Sequence, residues 1–441
     1  MADQSTDTNA VRRTIETVWR IESGRLIAGL ARLTGDVATA EDLAQDAMVV
    51  ALREWPANGI PNNPGAWLMT AARRRAIDQR RRREVLDRTH ARLGREADER
   101  TADAVDAMDA AVDSALAAER DGPSVQDERL GLMLMTCHPL LPREARVALT
   151  LRLLGGLSTD EIARAFLVPE ATVAQRIVRA KRTLRAAQVP FELPRGAAMV
   201  ERLDMVLEVL YLVFNEGYAA TAGSEWTRAE LCQEAMRLAR VVCALAPDSS
   251  EAHGLCALME LQASRLRARV DRHGAVVLLL DQDRARWDWL LIGRGQVALQ
   301  KAERLARAAD EPLGPYALQA AIAACHARAR VASDTDWGRI AALYDALYEM
   351  LPSPVVGLNR AVAASMAYGP ALGLAMVDAL LADAQDAAML QQYHLLPSVR
   401  GDLLHKLGRL DEARAEFLRA ASMTRNTRER DLLLQRAGQG A

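Results

Sequence analysis

Apolar side chains return every three or four positions through most of this chain, the spacing that lays a stripe along an α-helix, while the period-two alternation of strands is hard to find. Leu43, Ala47, Val50 and Ala51 share one face of a predicted helix. The segment 56–65, with Pro56, Pro61, Pro64, Gly59 and Gly65, interrupts the helical pattern. Trp67, Leu68, Ala71, Ala72 and Ile77 then give a second helix its buried side, and its other side is arginine-rich. Further on, Ser158 and Glu161 form a capping box, a turn follows at Leu167-Val168-Pro169, and Val173, Ile177, Ala180 and Leu184 return at helical spacing. Thr39 with Asp42 is read as another capping box. After residue 200 the stripes continue, as in Leu203, Val206, Leu207, Leu210 and Phe214, then Leu231, Ala235, Leu238, Val242 and Leu245. An all-α protein is expected.

Charge divides the chain more sharply than hydropathy does. The net charge is only −2, yet 1–92 carries +3, 93–127 carries −7, 128–188 carries +5 and 189–441 carries −3. Two basic helical modules, 1–92 and 128–188, are thus separated by an acidic, Ala/Asp/Glu-rich linker and followed by a short linker, 189–200, and a helical domain, 201–441. The length, 441 residues, suits roughly three compact units. No apolar run approaches the ~18 residues of a membrane span, and the start of the chain lacks a signal pattern, so a cytoplasmic protein without membrane contact is expected. The 5 cysteines are an odd number with no C-x-x-C pair, so neither a disulfide frame nor a metal site is expected. Phosphate loops, nucleophile elbows and H-E-x-x-H are missing from the sequence, so neither catalysis nor a cofactor is assigned.

The second basic module carries the clearest chemistry. Two short helices around a tight turn make a helix-turn-helix, whose second helix enters the major groove when it presents hydrogen-bonding side chains near its start and cations beyond them. Thr172, Gln175 and Arg176 are placed for base edges, and Arg179, Lys181 and Arg182 for phosphates. The competing reading is a solvated basic face on a structural hairpin.

The stretches Leu157-Ser158-Thr159-Asp160-Glu161-Ile162-Ala163, Val168-Pro169-Glu170-Ala171-Thr172-Val173 and Arg179-Ala180-Lys181-Arg182-Thr183-Leu184-Arg185 resemble the promoter-reading region four of extracytoplasmic-function (group four) sigma factors. In the first module, Ala40-Glu41-Asp42-Leu43-Ala44-Gln45-Asp46 is similar to the polymerase-binding helix of their region two, and Trp67 to Asp78 to the helix that meets the opened promoter. This resemblance implies that Asp42, Leu43, Gln45 and Asp46 meet core RNA polymerase, or else form an ordinary capped surface helix. It implies that Asn62 and Asn63 hold a base extruded from promoter DNA, the alternative being a plain connector. Arg73, Arg74, Arg75, Arg80 and Arg81 would track the melted strand. Trp67 either stacks on a base or, as the first residue of its stripe, belongs to the core. Met48 and Met69-Thr70 stand where the family often has aromatic residues, which weakens the assignment of stacking partners.

At the C-terminus, Gly408, Leu410, Ala413, Phe417 and Ala420 reproduce the spacing of a tetratricopeptide helix pair, and looser units precede it. The expectation is an α-solenoid of degenerate repeats, an arch offering a concave surface or serving only as a stabilising appendage. The whole layout resembles the sigma subgroup with tetratricopeptide-like extensions. That implies regulation through a partner protein or through an intramolecular contact with a sigma module. The competing function is a polymerase-independent helix-turn-helix regulator whose repeats sense a partner. Phe214-Asn215-Glu216-Gly217-Tyr218 also resembles that subgroup, with a helix-ending turn as its plain reading.

Overall fold

The computed structural model describes residues 2–77, 125–166, 168–191, 194, 196–219, 222–223, 227–391 and 393–438. The expected acidic linker as far as residue 124 and two of the arginines assigned to the melted strand, Arg80 and Arg81, lie outside them; the last three linker residues, 125–127, are helical. The described residues are mostly helical, and the strands among them are two residues long. It divides into two compact units, one made of Met1–Ala163 with Val168–Val206 and the other of Arg164–Leu167 with Leu207–Ala441.

In the first unit, α1 (Ala2–Thr34) and α2 (Val37–Asn58) form a hairpin. Ile27, Leu30, Leu43, Ala44 and Ala47 are fully buried in it. The cap of α2 is not the Thr39–Asp42 pair expected from sequence. Asp36 caps it instead, its carboxylate accepting from Thr39 N at 2.8 Å and Thr39 Oγ1 at 2.6 Å. Pro56 lies inside the last turn of α2 and does not stop it, because only one late hydrogen bond is forfeited there. α3 is described over 64–77. α4 (Val125–Thr136) lies along α1, with Arg32 Nε 2.6 Å from Glu128 Oε1.

α5 (Arg143–Leu153) leads through Gly156, at φ +68°, to α6 (Thr159–Phe166) and α7 (Glu170–Ala186). The capping box at α6 is reciprocal: Ser158 N donates to Glu161 Oε2 at 2.7 Å and Glu161 N to Ser158 Oγ at 3.1 Å. Val173, Ile177, Ala180 and Leu184 are the buried stripe of α7, in agreement with their spacing.

α8 (Ala197–Tyr218) runs into the second unit, where consecutive helices stack on one another: α9 (Ala229–Leu245), α10 (Ser250–Ala263), α11 (Trp289–Ala308), α12 (Pro315–Arg328), α13 (Trp337–Met350), α14 (Pro354–Tyr368), α15 (Pro370–Ala382), α16 (Ala384–Leu390), α17 (Leu395–Lys406), α18 (Leu410–Met423) and α19 (Thr427–Gly438). α10 and α12 are buried on nearly every side, so neither shows the amphipathic stripe of a surface helix. They approach so closely that a β-carbon on Gly254 would lie 2.7 Å from Ala317 N. One core gathers Leu318, Ile322, Ile340 and Leu347. Another gathers Leu374, Leu403, Leu404, Phe417 and Leu433. A two-residue parallel pairing, Ala222 with Arg425 and Gly223 with Asn426, joins the beginning of this unit to its end.

Candidate polymerase and nucleic-acid interface

The α2 surface comes first. Of the four residues expected to face polymerase, Leu43 is 0% exposed and belongs to the α1–α2 core. Asp42 and Gln45 are exposed and Asp46 is half-buried, and the exposed Val49 and Leu52 follow them, so the outer surface of this helix is acidic at its start and apolar further along. Asp46 is not isolated. Arg75 of α3 donates from Nη1 to its carbonyl at 2.9 Å and approaches its carboxylate at 3.4 Å.

Between α2 and α3 lies a cleft of about 520 Å³ lined by Val50, Glu54, Ala66, Trp67, Thr70, Ala71, Arg74 and Arg75. Trp67 lies between the core and the cleft. Its ring meets the fully buried Trp55 edge-to-face at 5.4 Å and 67°, yet it is half-buried and forms a wall of the cleft. Asn63 acts locally, its Oδ1 accepting from Ala66 N at 3.1 Å and so capping α3. Asn62 beside it is exposed. Arg73 is half-buried and Arg74 exposed. The cleft thus joins an aromatic wall to two guanidinium groups, that of Arg75 shared with Asp46, beside the Glu54 carboxylate; a face to stack on and cations along the backbone are what a single nucleic-acid strand requires.

On α7, Gln175, Arg179 and Arg182 are exposed, and Thr172 and Arg176 are half-buried at its start. Val178, 63% exposed between them, is absent from the sequence-based site, although a lone apolar residue on a basic helical face is the mark that would have found it. Such a residue can meet a thymine methyl in the major groove.

Lys181 differs from its neighbours. It donates through Nζ to Glu41 of α2, and Arg152 Nε donates to the other Glu41 oxygen at 2.8 Å. Gln45 Nε2 bonds the same carboxylate at 2.8 Å. Glu41 is only 2% exposed. Burial pushes its carboxyl up, but Lys181 and then Arg152 outweigh that and hold it below the usual range. A second link lies on the rim, where Arg185 Nε donates to Asp36 Oδ1 at 3.1 Å and its Nη2 to Oδ2. The cation assigned to phosphate is therefore committed, in this conformation, to the helix assigned to polymerase. Glu41 sits one turn from Val37 and Ala44 on the buried stripe of α2, so a carboxylate at an apolar position was the available sign of a partner.

The sigma-70 region 2 family model matches residues 21–85, and the sigma-70 region 4 model matches 131–184, in that order. The two domains, in this order, indicate a sigma factor. A family of unknown function matches 202–303, nearly all of it in the second unit. A relative described as an uncharacterized protein, from Rhizobium meliloti (strain 1021), is 44% identical over 405 residues, covering 91% of this chain and 90% of its own length. No solved structure matches. Sigma factor families are not enzymes. Among the described residues, no helix of this sigma factor is long and apolar enough to cross a membrane, and no group of three or more His, Cys, Asp or Glu is placed to hold a metal.

Proposed function

We propose that this sigma factor is an alternative one of the extracytoplasmic-function group, acting in the cytoplasm. It binds core RNA polymerase through Asp42, Gln45 and Asp46, guides the melted promoter strand along the cleft of Trp67, Arg74 and Arg75, and sets α7 in the duplex with Thr172, Gln175 and Arg176 at base edges and Arg179 and Arg182 at phosphates. The second unit, read as degenerate tetratricopeptide-like repeats, regulates this activity through a protein or intramolecular contact. The observation that carries the reading is the pairing of two recognition surfaces suited to different forms of DNA: a cleft with an aromatic wall for single strand, and a capped helix-turn-helix for duplex.

The test is reconstitution. The full chain added to core polymerase should yield promoter-dependent transcripts, and Asp42→Lys with Asp46→Lys should abolish them without loss of helicity. Tight duplex binding by the chain alone, with no transcripts in the presence of core enzyme, would favour a self-sufficient helix-turn-helix regulator instead.

A further inference from the structure

Four side chains of the second unit form a cluster that is basic, buried and short of acceptors. Arg265 is 9% exposed, Arg284 6%, Trp287 3% and His326 8%. The Arg284 guanidinium stands 4.7 Å from the Trp287 ring centre and that of Arg265 stands 6.0 Å from it. Arg284 is tied down by its Nη atoms, to the carbonyls of His326 and Ala329 at 2.6 Å each and to Thr335 Oγ1 at 3.3 Å. Arg265 Nε has no hydrogen-bond partner among the described residues, and its guanidinium lies over the faces of Tyr218 and Trp287. Arg265 Nε, Arg284 Nε, Trp287 Nε1 and His326 Nδ1 are all buried without a hydrogen-bond partner among those residues.

Such an arrangement is unfavourable on its own. Two guanidinium groups cannot shed their charge by losing a proton; the Asp334 carboxylate offsets part of the Arg284 charge, but a buried charge such as Arg265 without a counterion is destabilising. His326 does not add a third charge, because burial and the two arginines push its pKa down to about 4. Nor does it supply a negative one. The chemistry that satisfies the two arginines and the indole together is an oxygen-rich anion, which accepts from arginine and indole N–H groups at once, and His326 joins them in the tautomer that carries its proton on Nδ1. We propose that this cluster binds an oxyanion, a phosphate or carboxylate group on a small ligand, with Arg265 as its main contact and Arg284, Trp287 and His326 completing the cage. The site would give the second unit a chemical input separate from DNA and polymerase. It also gives Tyr218 a place: the last residue of the Phe214–Tyr218 stretch forms a wall beside Arg265, at 5.9 Å.

Calorimetric titration and thermal denaturation of the full chain test this, with sodium phosphate in one arm, sodium benzoate in another and sodium chloride at matched ionic strength as the reference. One arm should show saturable binding near one equivalent and a rise in melting temperature, which also identifies the anion. Arg265→Met should weaken that binding at least tenfold. In chloride alone it should melt no lower than the parent, since it removes an unpaired buried charge, whereas an arginine needed only for packing would leave the variant less stable. Trp287→Phe keeps the ring, removes the N–H and should weaken binding several-fold. The proposal is overturned if neither anion binds beyond the chloride reference, or if Arg265→Met binds as tightly as the parent.

Discussion

Glu41 links two distant stretches of the first unit through one carboxylate, so its protonation has consequences that most surface acids lack. Its folded pKa lies below the ordinary 4.5. A group lowered in this way stabilises the fold fully above the ordinary value and loses that contribution as pH falls through the lowered one. The first unit should therefore lose stability in acid, and Glu41→Gln should cost about 3 kcal/mol at neutral pH, the scale for breaking a buried ion pair. The gap between parent and variant should close as pH falls below the ordinary carboxylate range, read by urea denaturation across pH; a gap independent of pH would refute the assignment. Asp36, also held low despite burial by Arg185 and Thr39, adds acid sensitivity that Asp36→Asn removes. In the second unit, the Cys243 thiol is lowered by a hydrogen bond with Cys256 and then by His253, against the effect of burial, whereas burial pushes Cys232 up to about 12. Cys243 is half-buried, so iodoacetamide at neutral pH should label it well before Cys232, and Cys256→Ala should slow that labelling. Peptide mass spectrometry over time decides the order.

At the scale of elements, α7 separates local from long-range information. Its buried face and the α6 cap are legible because both follow from neighbours within a few residues: the 173–177–180–184 stripe and the Ser158–Glu161 pair. The start of α2 is ambiguous in sequence because Asp36 and Thr39 are both good capping residues, and the expected cap at Thr39 belongs instead to Asp36. Lys181 reads in sequence as one more solvent-facing cation, and nothing nearby indicates otherwise. Its partner lies 140 positions away, which no periodicity reports. α10 and α12 are only loosely legible, since a helix buried on all sides has no polar face to set its phase. These differences have a measurable consequence for DNA binding. Arg182→Ala, an exposed cation, should weaken promoter binding by the polymerase-bound chain about equally for all sequences and flatten the salt dependence by roughly one unit. Gln175→Ala should instead relax the preference at one base pair while leaving the salt slope unchanged. Fluorescence anisotropy over a salt series distinguishes the two, and identical effects would remove the division between phosphate and base contacts.

The second unit, taken as a whole, departs from an open stack of repeats. In a linear array each repeat meets only its neighbours, so the ends fray first and losing the last repeat leaves the first untouched. Here the chain end reaches back. Arg425 and Asn426 pair with Ala222 and Gly223, and Arg428 donates to the Gly274 carbonyl, while Asn426 and Glu429 are buried at 1% and 9% exposure. Glu429 is held in turn by Thr424 and by His394 Nε2 at 3.0 Å, so α19 cannot leave without exposing a buried carboxylate and an asparagine. Closure of this kind couples segments far apart in sequence and should make unfolding of the unit more cooperative than a stack of the same length. Removing residues 425–441 takes away both ties at once. Amide hydrogen exchange should then rise at 222–223 and around 270–276, some 200 and 150 positions from the cut, and the urea transition should broaden as the early helices lose their anchor. If exchange instead increased only in α17 and α18, beside the cut, the closing contacts would carry no energy and the unit would behave as an ordinary open array.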